Sequence, residues 1–333
     1  MSNVTNADAK ILDELEATAA RLGKAREAIR SVIFGQDNVI DLALTAILGG
    51  GHALLVGAPG LAKTKLAITL GTVLGLEEKR IQFTPDLMPA DIVGSEVLDE
   101  PESGRHQFRF VKGPVFCQLL MADEINRASP RTQSALLQAM QEHHVTVGGV
   151  SYDLPSPFHV LATQNPIEQE GTYPLPEAQL DRFLLEIEVP YPDLESERRM
   201  IFATTGNVED PVANVFTREE LMRAQRLTRT IPVGEKVADA ILTLVRSARP
   251  GPDAGDYTNE HISWGPGPRA SQSFMLGVRA RALLDGRLSP SLDDVAALAH
   301  PVLRHRMAIT FSARADGISI DDVISHLAAS VAG

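Results

Sequence analysis

Cysteine is almost missing from this chain of 333 residues: Cys117 stands alone. One thiol makes neither an internal disulfide nor a cysteine-rich zinc site, and it fits a reducing compartment such as the cytoplasm. Cys117 is set among Val115, Phe116, Leu119 and Leu120, the surroundings of a small core residue. No run of ~18 apolar residues occurs, so no membrane-spanning helix is expected. Residues 1–10 are polar and do not read as a secretory leader. Positive charge is in deficit, with Lys+Arg 31 against Asp+Glu 43 and a formal net charge of −12. That field opposes non-specific binding to nucleic acid or anionic lipid, although a local basic patch stays compatible with it. No internal repeat or low-complexity tract is evident.

What is there is an ordinary globular composition, 44% hydrophobic and 22% charged. The length suggests about two domains. Helical spacing of Ile11, Leu12, Leu15, Ala19 and Leu22 predicts helix over 8–33, with a break at Gly23. A second apolar helix over 39–48 stops at Gly49-Gly50-Gly51. Short apolar runs at 53–56, 80–83, 119–122, 159–162 and 184–189 read as buried parallel strands, and the helices between them imply an α/β sheet domain. Residues 86–114 and 144–153 interrupt this rhythm and read as inserted hairpins, the second turning at Gly148-Gly149. After Pro190 the strand signal fades into helical stretches at 193–205, 217–228, 234–248, 269–285 and 291–308. The boundary is therefore placed near 189–193, giving an α/β domain over 1–190 and a helical domain over 191–333.

Five motifs carry chemistry. Gly57-Ala58-Pro59-Gly60-Leu61-Ala62-Lys63-Thr64 matches a phosphate-binding loop, with Ala62 where the consensus has its second glycine. It follows an apolar strand and opens a helix, so backbone N–H groups and the helix dipole converge on phosphate oxygens. Lys63 would reach the β- and γ-phosphates and Thr64 would hold Mg²⁺. Leu119-Leu120-Met121-Ala122-Asp123-Glu124 ends a strand in two carboxylates: Asp123 to orient Mg²⁺ and its waters, Glu124 to polarise a water as general base. A solvated acidic pair is the plainer alternative. Asn165, in Thr163-Gln164-Asn165-Pro166, can bond the γ-phosphate or the attacking water, or can simply form a turn. Arg182, in Leu180-Asp181-Arg182-Phe183, is a candidate transition-state charge stabiliser; its alternative is a surface ion pair with Asp181 or Glu186. Arg269, in Gly267-Pro268-Arg269-Ala270, opens a helix and is expected to aim back toward the nucleotide. Arg127 and Arg131, near a helix start at Ser129-Pro130, are either subunit-boundary residues or solvated ones.

Together with Ala122-Asp123-Glu124-Ile125-Asn126-Arg127-Ala128, Leu175-Pro176-Glu177-Ala178-Gln179-Leu180-Asp181-Arg182-Phe183 and His305-Arg306, these motifs resemble the MoxR family of AAA+ ATPases. The resemblance runs from about residue 35 to about residue 307, and Ala62 is common within that family. It implies an AAA+ core with a five-stranded, mainly parallel sheet and a C-terminal all-helical lid. The segment at 86–114 resembles the family's helix-2 insert and that at 144–153 its pre-sensor hairpin. Asn165 would then be sensor 1, Arg182 an arginine finger and Arg269 sensor 2, with ATP and Mg²⁺ as cofactors. Hexameric rings are implied, as are partners that are remodelled or activated. Such partners include metal-dependent enzymes and proteins with a von Willebrand factor A domain. A magnesium-chelatase-like motor subunit is the alternative. A DNA-translocating helicase is disfavoured by the charge, and a small-molecule kinase by the Asn165, Arg182 and Arg269 set.

Overall fold

The computed structural model describes residues 6–99, 107–167, 171–205 and 212–329. Residues 100–106, within the first insert, lie outside the described residues.

Five strands form one wholly parallel sheet: β1 (Ala53–Val56), β2 (Glu78–Gln82), β5 (Leu119–Asp123), β8 (His159–Gln164) and β9 (Leu185–Glu188), in the order β2-β5-β8-β1-β9. The inner strands are apolar on both faces because helices cover both. Edge strand β2 begins two residues before the expected Arg80. Glu78 and Lys79 are polar, and an edge strand tolerates them where an inner one would not. The inserted hairpins are β3 (Gly94–Asp99) with β4 (Gln107–Lys112), and β6 (His144–Val147) with β7 (Val150–Asp153). Phe110 of β4 stacks on Tyr152 of β7 with ring centroids 4.1 Å apart, so the two inserts touch.

Helix α1 (Asn6–Arg30) runs unbroken through Gly23. The cost of a mid-helix glycine, about 1 kcal/mol, is outweighed by burial of Leu22, Ala25 and Ile29 on one stripe. Helix α2 (Asp37–Leu48) is buried over most of its surface. Helix α3 (Lys63–Leu74) leaves the phosphate-loop motif; α4 (Pro89–Val93) opens the first insert, where only a hairpin was expected; and α5 (Pro130–Glu142) starts at the expected Ser129 cap. The short α6 (Glu177–Leu180) precedes β9.

Beyond β9 come α7 (Leu194–Thr204), α8 (Arg218–Thr230), α9 (Glu235–Ser247), α10 (Asp256–His261), α11 (Pro268–Leu284), α12 (Leu292–Leu303), α13 (Phe311–Ala315) and α14 (Ile320–Ala329). Among the described residues this region is helical apart from a two-stranded antiparallel ribbon, β10 (Ile262–Trp264) with β11 (Ala308–Ile309).

Alternate residues of the sheet feed two cores. Leu55, Leu119, Met121, Leu161 and Ile187 join α1, α2, α3 and the C-terminal helices in one cluster. Leu54, Leu120, Ala122, Val160 and Phe183 join α5 and the inserts in the other, which also encloses Cys117. Burial pushes the Cys117 thiol up to about 12, so it is a core residue with little thiolate character. The first cluster crosses the segment at 189–193, because α1 and α2 pack against α11.

Candidate active site

The phosphate-loop motif sits at the carboxyl end of β1. Gly57 N–H donates to the Gln164 carbonyl at 3.2 Å, tying the loop to β8. A Cβ at Gly57 would lie 2.6 Å from the Val189 carbonyl oxygen, so only glycine lets the loop pass the end of β9. Ala62 adopts φ 55° at the start of α3, the left-handed conformation that the consensus glycine takes without strain. Lys63 Nζ lies inside the loop, 2.5 Å from the Gly57 carbonyl and 2.9 Å from that of Ala58. Burial lowers the Lys63 pKa, while the charges of Asp123 and Glu124 oppose that shift, so the two carboxylates lie near enough to act on this ammonium. Thr64 follows in the first turn of α3.

Asp123 ends β5 and is fixed from both neighbouring strands. Its Oδ1 accepts from Thr163 Oγ1 of β8 at 2.6 Å, and its Oδ2 accepts from Arg80 Nη2 of β2 at 2.7 Å. The next residue, Glu124, turns out of the strand with φ 55°. Its N–H donates to the same Thr163 hydroxyl at 2.8 Å. Its Oε2 accepts from Gln82 Nε2 at 2.8 Å and from Arg127 Nη1 at 2.9 Å. Asn165 is buried just beyond β8, where its Oδ1 accepts from Ile167 N–H at 3.1 Å. One edge of the sheet thus gathers Lys63, Asp123, Glu124 and Asn165. Sequence reading assigned no role to Thr163, Arg80 or Gln82, which hydrogen-bond to the two carboxylates. Thr163 falls inside a recognised motif. The other two depend on strand register, which pairs Gln82 with Asp123.

The two remaining candidates lie elsewhere. Arg182 precedes β9, whose first residue is level with Ala53 at the start of β1. It is therefore separated from the loop by at least the ~10 Å length of a four-residue strand. Arg269 does not aim toward its own chain's loop as expected. Its Nη1 stands 3.7 Å from Asp181 Oδ2, and its charge adds to burial in lowering the Arg182 pKa. The reason is the packing of α11 against α1 and α2, which carries its start to the amino edge of the sheet. Arg182 Nε is buried without a hydrogen-bond partner among the described residues. His52, Gln141, Asp181, Arg182, Arg269 and Arg306 line a pocket of about 220 Å³ there. Asp181 does not pair with Arg182; it accepts from Arg306 Nε at 2.8 Å, and Arg306 is fully buried. Arg127 belongs with Glu124, and Arg131 is exposed on α5.

Residues 52–185 match the model of the ATPase family associated with various cellular activities (AAA), and residues 256–327 match the AAA lid domain. The chain is 41% identical over 319 residues to Chaperone MoxR1 of Mycobacterium tuberculosis, covering 96% of this chain and 84% of that one. It is 31% identical over 324 residues to protein MoxR of Methylorubrum extorquens, covering 92% of each. The chain belongs to the MoxR family of AAA+ ATPases. A crystal structure from Cytophaga hutchinsonii, of a protein assigned as an ATPase, superposes with a TM-score of 0.86 at 35% identity over 95% of both chains. The MoxR-family core and lid account for the sheet and the C-terminal helices. Family membership implies nucleotide binding, usually with Mg²⁺. The residues fit that ion: the Thr64 hydroxyl and Asp123 carboxylate are hard oxygen donors, and the Asp123 charge already acts on the loop lysine. Among the described residues no helix is long and apolar enough to cross a membrane.

Proposed function

We propose that the chain hydrolyses ATP in a ring of its own copies, a hexamer by family resemblance, and uses the cycle to remodel a protein partner. The observation that carries this reading is the split of the charged groups between the two edges of the sheet. Lys63, Asp123 and Glu124 gather at one edge, and Arg182 and Arg269 stand together at the other. A guanidinium cannot stabilise a γ-phosphate that it cannot reach. In a ring, the amino edge of one subunit meets the loop of the next, and both arginines then serve the neighbour's nucleotide.

Within one subunit, the loop N–H groups and Lys63 bind the β- and γ-phosphates. Thr64 and Asp123 would hold Mg²⁺, which when bound neutralises phosphate charge. Asn165 orients the attacking water, and Glu124 takes its proton. The core ends and the lid begins at 189–193. The hairpin of β3 and β4 supports the partner role. Leu98 and Phe108 form a cross-strand pair 51% and 72% exposed, an apolar pad on the insert.

Glu124→Gln tests the chemistry, because it keeps shape and hydrogen bonding but removes the base. ATP affinity should stay near the parent value while turnover falls on the order of 10²–10⁴-fold. Lys63→Ala should lose binding instead. Parental turnover in Glu124→Gln would refute the role of Glu124.

A further inference from the structure

Arg80 is a cation beside the catalytic carboxylates that the scheme above does not use. It lies on edge strand β2, level with Met121 and two residues before the Gln82–Asp123 pair. Its Nη2 and Nε both donate to Asp123 Oδ2, at 2.7 and 3.2 Å. The same Nη2 donates to Gln82 Oε1 at 2.8 Å, and Gln82 Nε2 donates to Glu124 Oε2 at 2.8 Å. With Thr163 on Oδ1, both oxygens of Asp123 already carry a donor, and one donor is a full positive charge.

The ion pair has an uneven setting. The Asp123 side chain is 13% exposed, whereas that of Arg80 is 49% exposed and opens to solvent. An ion pair to a half-exposed guanidinium contributes little to folding, because water screens it, so it can leave the carboxylate at small cost. Asp123 cannot leave, because Thr163 holds it from the other side. While Arg80 stays, its charge repels any cation approaching Asp123.

We propose that Arg80 is the counter-charge that hydrated Mg²⁺ displaces from Asp123 as nucleotide enters, so that Arg80 sets the Mg²⁺ concentration the site requires. The proposal rests on the Mg²⁺-nucleotide reading above. Arg80 is a positioning residue here and touches no substrate. Because it also holds Gln82, and Gln82 holds Glu124, its release joins metal entry to the setting of the general base.

The test is equilibrium binding of a fluorescent ADP analogue to the full chain across Mg²⁺ concentrations. Arg80→Met should lower the half-saturating Mg²⁺ on the order of tenfold, the scale of one elementary charge on a dication through water-like screening. Arg80→Lys restores the charge and should return the half-point to within about threefold of the parent. Thermal unfolding without Mg²⁺ checks that each variant folds. Should Arg80→Met not fold, Arg80→Gln, which keeps a donor but no charge, carries the same expectation. An unchanged half-point in the neutral variant overturns the proposal. So does a raised half-point or lost binding, since Arg80 would then be needed to present Asp123. A parent chain that binds no nucleotide at any Mg²⁺ concentration overturns the site reading itself, and this proposal with it.

Discussion

Replacing Arg306 by Met should cost this protein more stability than most surface changes combined. The guanidinium is 1% exposed, and its five N–H groups reach six acceptors, three of them sharing Nη2: Asp181 Oδ1, the carbonyls of Asp181, Phe183, Leu184 and Val302, and Ser273 Oγ, at 2.5 to 3.3 Å. These partners come from the segment before β9, from α11 and from α12, so one side chain fastens the lid to the sheet. Met fills most of the volume but donates nothing. Asp181, whose side chain is 21% exposed, loses its charged partner, and the carbonyls lose theirs. Removing one member of a buried ion pair costs about 3–5 kcal/mol. At roughly 2 °C per kcal/mol for a chain of this size, the melting temperature should fall by roughly 6–10 °C. Asp181→Asn keeps an acceptor but leaves the buried Arg306 charge without its carboxylate, and should also cost about 3–5 kcal/mol. Differential scanning calorimetry of both variants checks the values. A fall below about 2 °C for Arg306→Met would refute the claim that Arg306 fastens the lid.

Two further outcomes follow from the same physics. His52 Nδ1 accepts from Val160 N–H and His159 Nδ1 bonds the Gly51 carbonyl, and burial lowers their pKa values to about 3 and about 4. Both folded values lie below the ordinary 6.5, so the neutral rings hold their stability above about pH 6.5. As pH falls toward 4, each ring forfeits up to about 1.4 kcal/mol per unit. Urea midpoints should therefore drop steeply from pH 6.5 to pH 5, and a flat profile would contradict the assignment. On the insert, Leu98→Ser with Phe108→Ser should leave basal ATPase within about twofold while abolishing stimulation by a protein partner; lost nucleotide binding would place the hairpin in the wrong role.

Much of the site was legible because its residues follow one another in the chain. An apolar strand, a glycine loop and a helix start are contiguous, so β1 was placed to the residue and α3 opens where the loop motif ends. The carboxylates and Asn165 were equally plain, each ending an apolar run. What was hidden depends on distance in sequence. Arg80 and Gln82 meet Asp123 and Glu124 only through the register of β2 on β5. The ribbon of β10 and β11 joins three residues to two across a long gap, too short a pattern to recognise. Gly23 looked like a helix break because propensity is local, whereas burial of Leu22 and Ala25 is not. Arg269 was assigned to the right helix start and the wrong edge, because only the packing of α11 against α1 and α2 fixes that edge.

Mixed rings decide whether Arg182 and Arg269 serve a neighbouring subunit's nucleotide. Lys63→Ala subunits keep both arginines but cannot bind ATP; Arg182→Ala subunits bind ATP but lack the guanidinium. Each variant alone should turn over poorly, by on the order of 10³–10⁵-fold for Arg182→Ala if it behaves as other arginine fingers supplied in trans. Mixed assemblies, verified by native mass spectrometry, should regain part of the parental rate, because some Arg182→Ala sites then face an intact Arg182. No regain in verified mixed rings, or full activity of Arg182→Ala alone, would contradict the account and leave Arg127 and Arg131 as the arginines to test.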